Sequence, residues 1–387
     1  MSDSDAIEPF NVHIPQSALD DLKVRLSLVR WPNRETVNDW SQGVPLVKAQ
    51  KLIEYWQTKY DWRVFEERIN KLPHFRTNID GLGIHFIHVK SNHSNALPIL
   101  FTHGWPGSFV EFLDIIPSLT DPTAHGGSSE DAFHVIIPSL PGYAFSDKPS
   151  EGGWKNDRIA RAWIVLMDRL GYSKWVAQGG DWGADITTTL GAMRPPGLIG
   201  IHLNWQFVFP EKMPEQLSPE EQRAVDGWNK FLTHESGYFR EQSTRPQTIG
   251  YALSDSPVAL ATWIYEKFYV WTDNNGNPED AVSLDTILNN ISLYWLTNTG
   301  ASSVRIYWER QADGIGIQIA GPKLDLPVAA TVYPSEIYRS PKSWAEQKFS
   351  NLIHWNEVDK GGHFASLEQP QVFVKELRTG FRSLRTT

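Results

Sequence analysis

Trp175-Val176-Ala177-Gln178-Gly179-Gly180-Asp181-Trp182-Gly183-Ala184 is the stretch on which the fold turns. Its first four residues read as a short buried strand, and a helix-like stretch begins after it without a linker. A chain that passes from strand to helix so quickly must turn sharply, and bulk beside the central residue would clash. Gly179 and Gly183 occupy the flanking positions and leave Asp181 at the apex. The same letters also fit an ordinary glycine-rich helix start, so the surrounding sequence has to decide.

Upstream, Ile84-His85-Phe86-Ile87-His88-Val89 alternates as a strand after the turn Asp80-Gly81. Leu97-Pro98-Ile99-Leu100-Phe101 and Phe133-His134-Val135-Ile136-Ile137 are short apolar runs, and residues 158–170 are a helix-length segment before Trp175. Residues 198–203 and 328–333 read as later strands. Apolar strands that alternate with helices predict an α/β fold, a mostly parallel sheet with helices on both faces.

Between those last two strands the rhythm breaks. Residues 210–320 are helical and aromatic, as at 224–231 and 256–271, and far exceed the usual connection of about 2–6 residues. An inserted helical lid is expected there. The first hundred residues carry Trp31, Trp40, Trp56 and Trp62, a helix over 17–26 with Ser17 as its cap, and a second helix over 47–65. They contain no paired catalytic groups and read as a wrapper. The expected division is 1–92 wrapper and first strands, 93–207 first part of the core, 208–320 lid, and 321–387 second part of the core.

Composition removes whole classes of function. The chain has 387 residues, 36 basic and 45 acidic side chains, a net charge of −9 and no cysteine. Disulfides, thiolate metal sites and cysteine nucleophiles are excluded, and an acidic balance argues against nucleic acid as a partner. The acidic start, Met1 to Phe10, lacks the basic and apolar regions of a secretory signal, and no run approaches the roughly 18 apolar residues of a membrane span. A cytoplasmic protein without membrane attachment is expected, with no cofactor and no metal.

Two further motifs complete the context of Asp181. Thr102-His103-Gly104-Trp105-Pro106-Gly107-Ser108 follows the strand ending at Phe101, and Lys360-Gly361-Gly362-His363-Phe364-Ala365 puts a histidine in a glycine turn. This arrangement resembles the α/β-hydrolase fold. Its nucleophile sits on a strained elbow, its acid and histidine follow in chain order, and its oxyanion hole takes backbone N–H groups from two loops. Asp181 then stands at the nucleophile position, with the Trp105 and Trp182 amides as oxyanion donors. His103 is expected to brace its loop and not to act as a base. Glu336, in Tyr333-Pro334-Ser335-Glu336 after a predicted strand, is the expected partner of His363. Asp359 is the rival, but a carboxylate four residues away along a loop rarely orients an imidazole from behind.

With these residues in view, nearly the whole chain resembles the epoxide hydrolases of the microsomal type. The resemblance includes Phe10-Asn11-Val12-His13-Ile14-Pro15 and Arg30-Trp31-Pro32 in the wrapper, and the His103, Asp181 and His363 motifs. It implies attack of Asp181 on an epoxide carbon, His363 as general base, Glu336 as its acid, and two lid tyrosines on the epoxide oxygen. Ser236-Gly237-Tyr238 and Arg305-Ile306-Tyr307 are similar to the segments that carry those tyrosines, while Tyr251, Tyr265, Tyr269 and Tyr294 compete for the pocket. Membrane-bound relatives carry an apolar anchor before the wrapper, and this chain starts almost at the wrapper. The partners implied are a small epoxide and water, a bulky apolar or aromatic epoxide suiting the 17 tryptophans; a homodimer is left open.

The alternative is a haloalkane dehalogenase, which uses the same aspartate, histidine and carboxylate and would turn the Trp182 indole N–H toward halide. A serine esterase is disfavoured by Asp181, and a non-catalytic receptor by the presence of all three groups. Dinucleotide binding lacks a third glycine in register and a P-loop lysine.

Overall fold

A computed structural model describes residues 6–311 and 323–385. Among them, nine strands form one sheet: β1 (Glu8–Phe10), β2 (His74–Ile79), β3 (Leu82–Val89), β4 (Leu97–Thr102), β5 (Phe133–Pro138), β6 (Trp175–Gly179), β7 (Leu198–Leu203), β8 (Val328–Val332) and β9 (Leu352–Glu357). Their order is β1-β2-β3-β5-β4-β6-β7-β8-β9. From β5 to β9 all neighbours are parallel, whereas β1, β2 and β3 add an antiparallel edge. The edge follows from the Asp80-Gly81 turn. Both residues take positive φ, 53° and 77°, the geometry that reverses a chain in two residues and pairs β2 with β3.

Alternate residues of the central strands divide between two apolar layers. Phe86, Leu100 and Ile136 face one layer, and Ile87, Ile99 and Val135 the other. Burying each such side chain contributes about 1.5–3 kcal/mol, so a one-residue slip of register would be heavily penalised. This is why these runs are apolar throughout, as expected for a sheet covered on both faces.

Two expectations for the amino-terminal segment need correction. The stretch 47–65 forms two helices, Leu46–Thr58 and Trp62–Ile69, because Asp61 turns the chain and its carboxylate accepts the Arg63 N–H at 2.9 Å. Ser17 is not a cap, because the helix Gln16–Ser27 begins one residue before it, after Pro15. The segment packs on the helices that lie between β7 and β8. The Trp56 indole donates to Ser292 Oγ at 2.9 Å, the Tyr60 hydroxyl donates to Asn289 Oδ1 at 2.8 Å, and Trp40 stacks on Tyr269 with ring centres 3.9 Å apart.

The helices between β7 and β8 include Pro219–Lys230, Gly237–Thr244, Pro257–Trp271, Leu284–Leu296 and Arg305–Gln311. Ser256 caps the third of these through the Ala259 N–H. The boundary expected at residues 320 and 321 lies outside the described residues. Among the described residues, no helix is long and apolar enough to cross a membrane.

The turn after β6 depends on bare glycines. A Cβ on Gly183 would fall 1.9 Å from the Thr102 carbonyl oxygen, and one on Gly179 would fall 2.1 Å from that of Gly183. Both obstacles are backbone, which cannot rotate aside. Gly183→Ala is therefore expected to lower stability by about 1–3 kcal/mol, read as a fall in the urea midpoint. An unchanged midpoint would mean that the elbow opens without cost.

Candidate active site

The helix Trp182–Met193 starts two residues beyond the end of β6, and Asp181 takes the strain of the join, with φ 51° and ψ −131°. Such a conformation at a non-glycine residue costs of order 1–3 kcal/mol and aims the side chain away from the regular path of either element. The Trp105 N–H donates to Asp181 Oδ1 at 2.8 Å. Trp182 opens the helix, so its N–H lacks an intrahelical acceptor and adds to the positive helix end beside Asp181.

The Trp105 loop is held from three sides. His103 braces it, with Nδ1–H donating to the Gly104 carbonyl at 3.0 Å and Nε2 accepting the Leu140 N–H at 3.2 Å. Burial pushes its imidazole down to about 4, so the ring stays neutral and serves as both donor and acceptor. The Asn290 amide donates to the Pro106 carbonyl and accepts from Ser108 Oγ, both at 2.7 Å, and the Tyr294 hydroxyl donates to the Gly107 carbonyl at 2.7 Å. The sequence did not show that Asn290 and Tyr294 hold this loop: Tyr294 reads there as a competitor for the pocket, and Asn290 only as the start of a sequon, Asn290-Ile291-Ser292, of a length that arises often by chance; its side chain is buried.

His363 closes the other side. Its Nε2 lies 3.3 Å from Asp181 Oδ2, and its Nδ1–H donates to Glu336 Oε1 at 2.7 Å. Glu336 is fixed in turn, because the same oxygen accepts the Ile337 N–H at 2.8 Å. Asp359 is exposed. The histidine turn is anchored by Glu368, which accepts the Phe364 and Asp273 N–H groups, while Asp273 accepts the Gly361 N–H at 3.0 Å. Burial works against the His363 imidazolium. The charge of Glu336 and the bonds to Asp181 and Glu336 overcome it and hold the ring well above the ordinary histidine range.

Tyr238 and Tyr307 come from different helices, Gly237–Thr244 and Arg305–Gln311, and converge on the same pocket as Asp181. Their rings meet edge to face, with ring centres 5.9 Å apart. Tyr238 also stacks on Trp105 at 5.3 Å, and Tyr307 packs edge to face on the Trp182 ring at 4.8 Å. Burial first pushes both phenols well above their usual range, reinforced by the Asp181 charge at Tyr238 and by Tyr238 and then Asp181 at Tyr307, so both carry their protons. The competing tyrosines are engaged elsewhere. Tyr251 is 69% exposed, Tyr265 donates to Glu279, Tyr269 stacks on Trp40, and Tyr294 holds Gly107.

A cavity of about 50 Å³ lies between Asp181 and an aromatic wall that includes Trp205, Phe207, Trp228 and Phe239. It suits a small apolar molecule with one polar end between the carboxylate and the phenols. Among the described residues, no group of three or more His, Asp and Glu side chains could hold a metal ion.

Comparison with known proteins converges on the same class of enzyme. The family model "Epoxide hydrolase N terminus" matches residues 7–112, and that of the "alpha/beta hydrolase fold" matches residues 98–217. The chain is 64% identical to a Stigmatella aurantiaca protein provisionally assigned as an epoxide hydrolase, over 98% of this chain and 86% of that one. It is 38% identical to epoxide hydrolase 1 of Sus scrofa, over 97% of this chain and 89% of that one. The solved Aspergillus niger epoxide hydrolase superposes with a TM-score of 0.86 at 34% identity, covering 99% of this chain and 97% of that one.

Proposed function

Since the chain belongs to the epoxide hydrolase family, we propose that it converts epoxides to vicinal diols through an ester on Asp181. The observation that carries this reading is the convergence of one carboxylate and two protonated phenols on a single apolar pocket. An epoxide is strained, but opening it creates an alkoxide, which needs a proton. Tyr238 and Tyr307 supply donors for that oxygen, and a carboxylate needs no base to attack carbon. Asp181 Oδ1 stays on the Trp105 N–H, and Oδ2 forms the bond to the epoxide carbon as the ring C–O bond breaks.

Esterification removes the Asp181 charge. One support of the His363 imidazolium then disappears, its pKa falls, and the neutral ring becomes a base for water. Water attacks the Asp181 carboxyl carbon, the oxyanion gathers on the Trp105 and Trp182 amides, and the diol leaves with the His363 proton. Glu336 orients the ring and stabilises its charged form. Glu336→Gln is expected to move the acidic limb of ester hydrolysis to lower pH and to slow the maximum rate roughly 10²-fold. A pH profile identical to that of the parent would remove Glu336 from this role.

Phenol donors fit an oxygen leaving group better than a halide, and the Trp182 ring packs edge to face on Tyr307, one of those phenols. The aromatic wall favours a bulky apolar or aromatic epoxide. The test is a single turnover of styrene oxide by excess enzyme in heavy-oxygen water. Unlabelled diol with label in the Asp181 carboxylate is the expected result. Label entering the diol directly would mean that water attacks the epoxide itself.

A further inference from the structure

The second chemical step needs a water molecule held against the Asp181 carboxyl carbon, and the lid pocket is a poor place for it. That pocket is walled by aromatic rings and filled by the alkyl group once the ester has formed. A second, smaller cavity also adjoins Asp181. It is lined by Gly107, Glu111, Asn204 and His363, with none of the lid aromatics, and its open space is that of about one water molecule. A water needs two to four polar partners in such a site, and this lining provides them.

Glu111 is the carboxyl group of that lining which the chemistry above leaves unused. It lies on the short helical turn Phe109–Phe112 that follows the Trp105 loop. Its carboxyl packs over a bare glycine, since a Cβ on Gly107 would fall 1.6 Å from Glu111 Oε1. A carboxyl enclosed beside another carboxylate is costly to keep, and an apolar side chain of similar size would be cheaper for the fold. Burial pushes the Glu111 carboxyl up to about 8, with Asp181 adding to the rise and His363 and the Ser108 backbone opposing it. Near neutral pH the group is therefore largely uncharged, with one oxygen free to accept.

We propose that Glu111 positions the hydrolytic water in this cavity, between its own carboxyl and His363 Nε2. The inference rests on the covalent reading given above. The carbonyl oxygen of Glu111 accepts one hydrogen of the water and His363 Nε2 accepts the other. As the water oxygen bonds to the Asp181 carboxyl carbon, that second proton passes to His363 and the carbonyl electron pair moves to Oδ1. When the pair returns, the ester C–O bond breaks and the His363 proton goes to the departing alcohol oxygen. Glu111 exchanges no proton; it is a positioning residue.

The experiment compares Glu111→Leu and Glu111→Gln with the parent enzyme. Ester formation and ester hydrolysis are followed separately by stopped-flow tryptophan fluorescence with styrene oxide, and the ester is confirmed by intact mass. Glu111→Leu is expected to form the ester within about twofold of the parental rate and to hydrolyse it roughly 10- to 100-fold more slowly, the usual effect of a misplaced reactant. Glu111→Gln keeps an accepting oxygen and is expected to restore most of the hydrolysis. Should Glu111→Leu not fold, Glu111→Ala carries the same comparison. Parental hydrolysis in Glu111→Leu, equal slowing of both steps, or a Gln variant as slow as Leu would overturn the proposal. If the parent itself accumulates no ester, the covalent reading fails, a result distinct from any failure of Glu111 alone.

Discussion

His363→Gln is expected to consume one equivalent of epoxide per enzyme and then stop. The ring is a partner of Asp181 through Nε2 at 3.3 Å, but nothing in the opening step requires it to take a proton. Ester hydrolysis does require it, and a general base contributes about 10²–10⁴-fold to such a step. Glutamine retains a polar group beside Glu336 without basicity, so hydrolysis should fall by that amount while ring opening persists. Intact mass should show the enzyme plus one epoxide, and peptide mapping should place the addition on Asp181. Loss of ring opening together with hydrolysis would show that His363 acts in both steps; normal turnover would remove it from the mechanism.

The complementary result is expected at the lid. Tyr238→Phe and Tyr307→Phe each keep the ring and its packing, including the 5.3 Å stack on Trp105 and the contact of Tyr307 with Trp182 at 4.8 Å. Each removes only a hydroxyl. Because the two phenols pack against each other in the same pocket as Asp181, either can substitute in part for its neighbour. Each single variant is expected to slow ester formation by about 10–10²-fold, and the double variant by about 10²–10⁴-fold, the worth of general-acid catalysis. Hydrolysis of an ester already formed should be unaffected. Rapid ester formation in the double variant would mean that the epoxide oxygen takes its proton from another donor.

The two variants divide the reaction by the side of Asp181 that they touch. In the proposed mechanism the lid supplies the acid for opening, and the His363 turn supplies the base for hydrolysis. The switch between them is electrostatic: while Asp181 is a carboxylate it supports the imidazolium, and once it is an ester that support is gone. No rearrangement of the fold is needed to change His363 from ion-pair partner to base.

The Asp181 and His363 positions were legible in the sequence because each sits in a local pattern with a steric cause. Only glycine fits where a Cβ would strike the Thr102 or Gly183 backbone, so the elbow announces itself in the letters. The apolar strands were legible for a similar reason, since a sheet buried on both faces leaves no polar alternation. Glu336 followed only from chain order, and Tyr238 and Tyr307 only from resemblance. Neither has a local signature, because a carboxylate in a loop and a tyrosine in a helix look the same whatever they face. β1, β2 and β9 were missed because the first is three residues long and the other two are only partly buried, so none shows a strong apolar run.

The sequence by itself determined the sheet, the elbow and the identity of the group at its apex, all of which depend on neighbours a few residues apart. Tertiary structure alone decided that Glu336 and not Asp359 meets His363, that Tyr238 and Tyr307 rather than four other tyrosines meet over Asp181, and that Glu111 shares a cavity with Asp181 and His363. Those pairings join residues from 27 positions apart (Glu336 and His363) to 252 (Glu111 and His363), or choose between candidates of the same chemistry. They are settled by which side chains are desolvated together, and that is a property of the packed chain rather than of any segment of it.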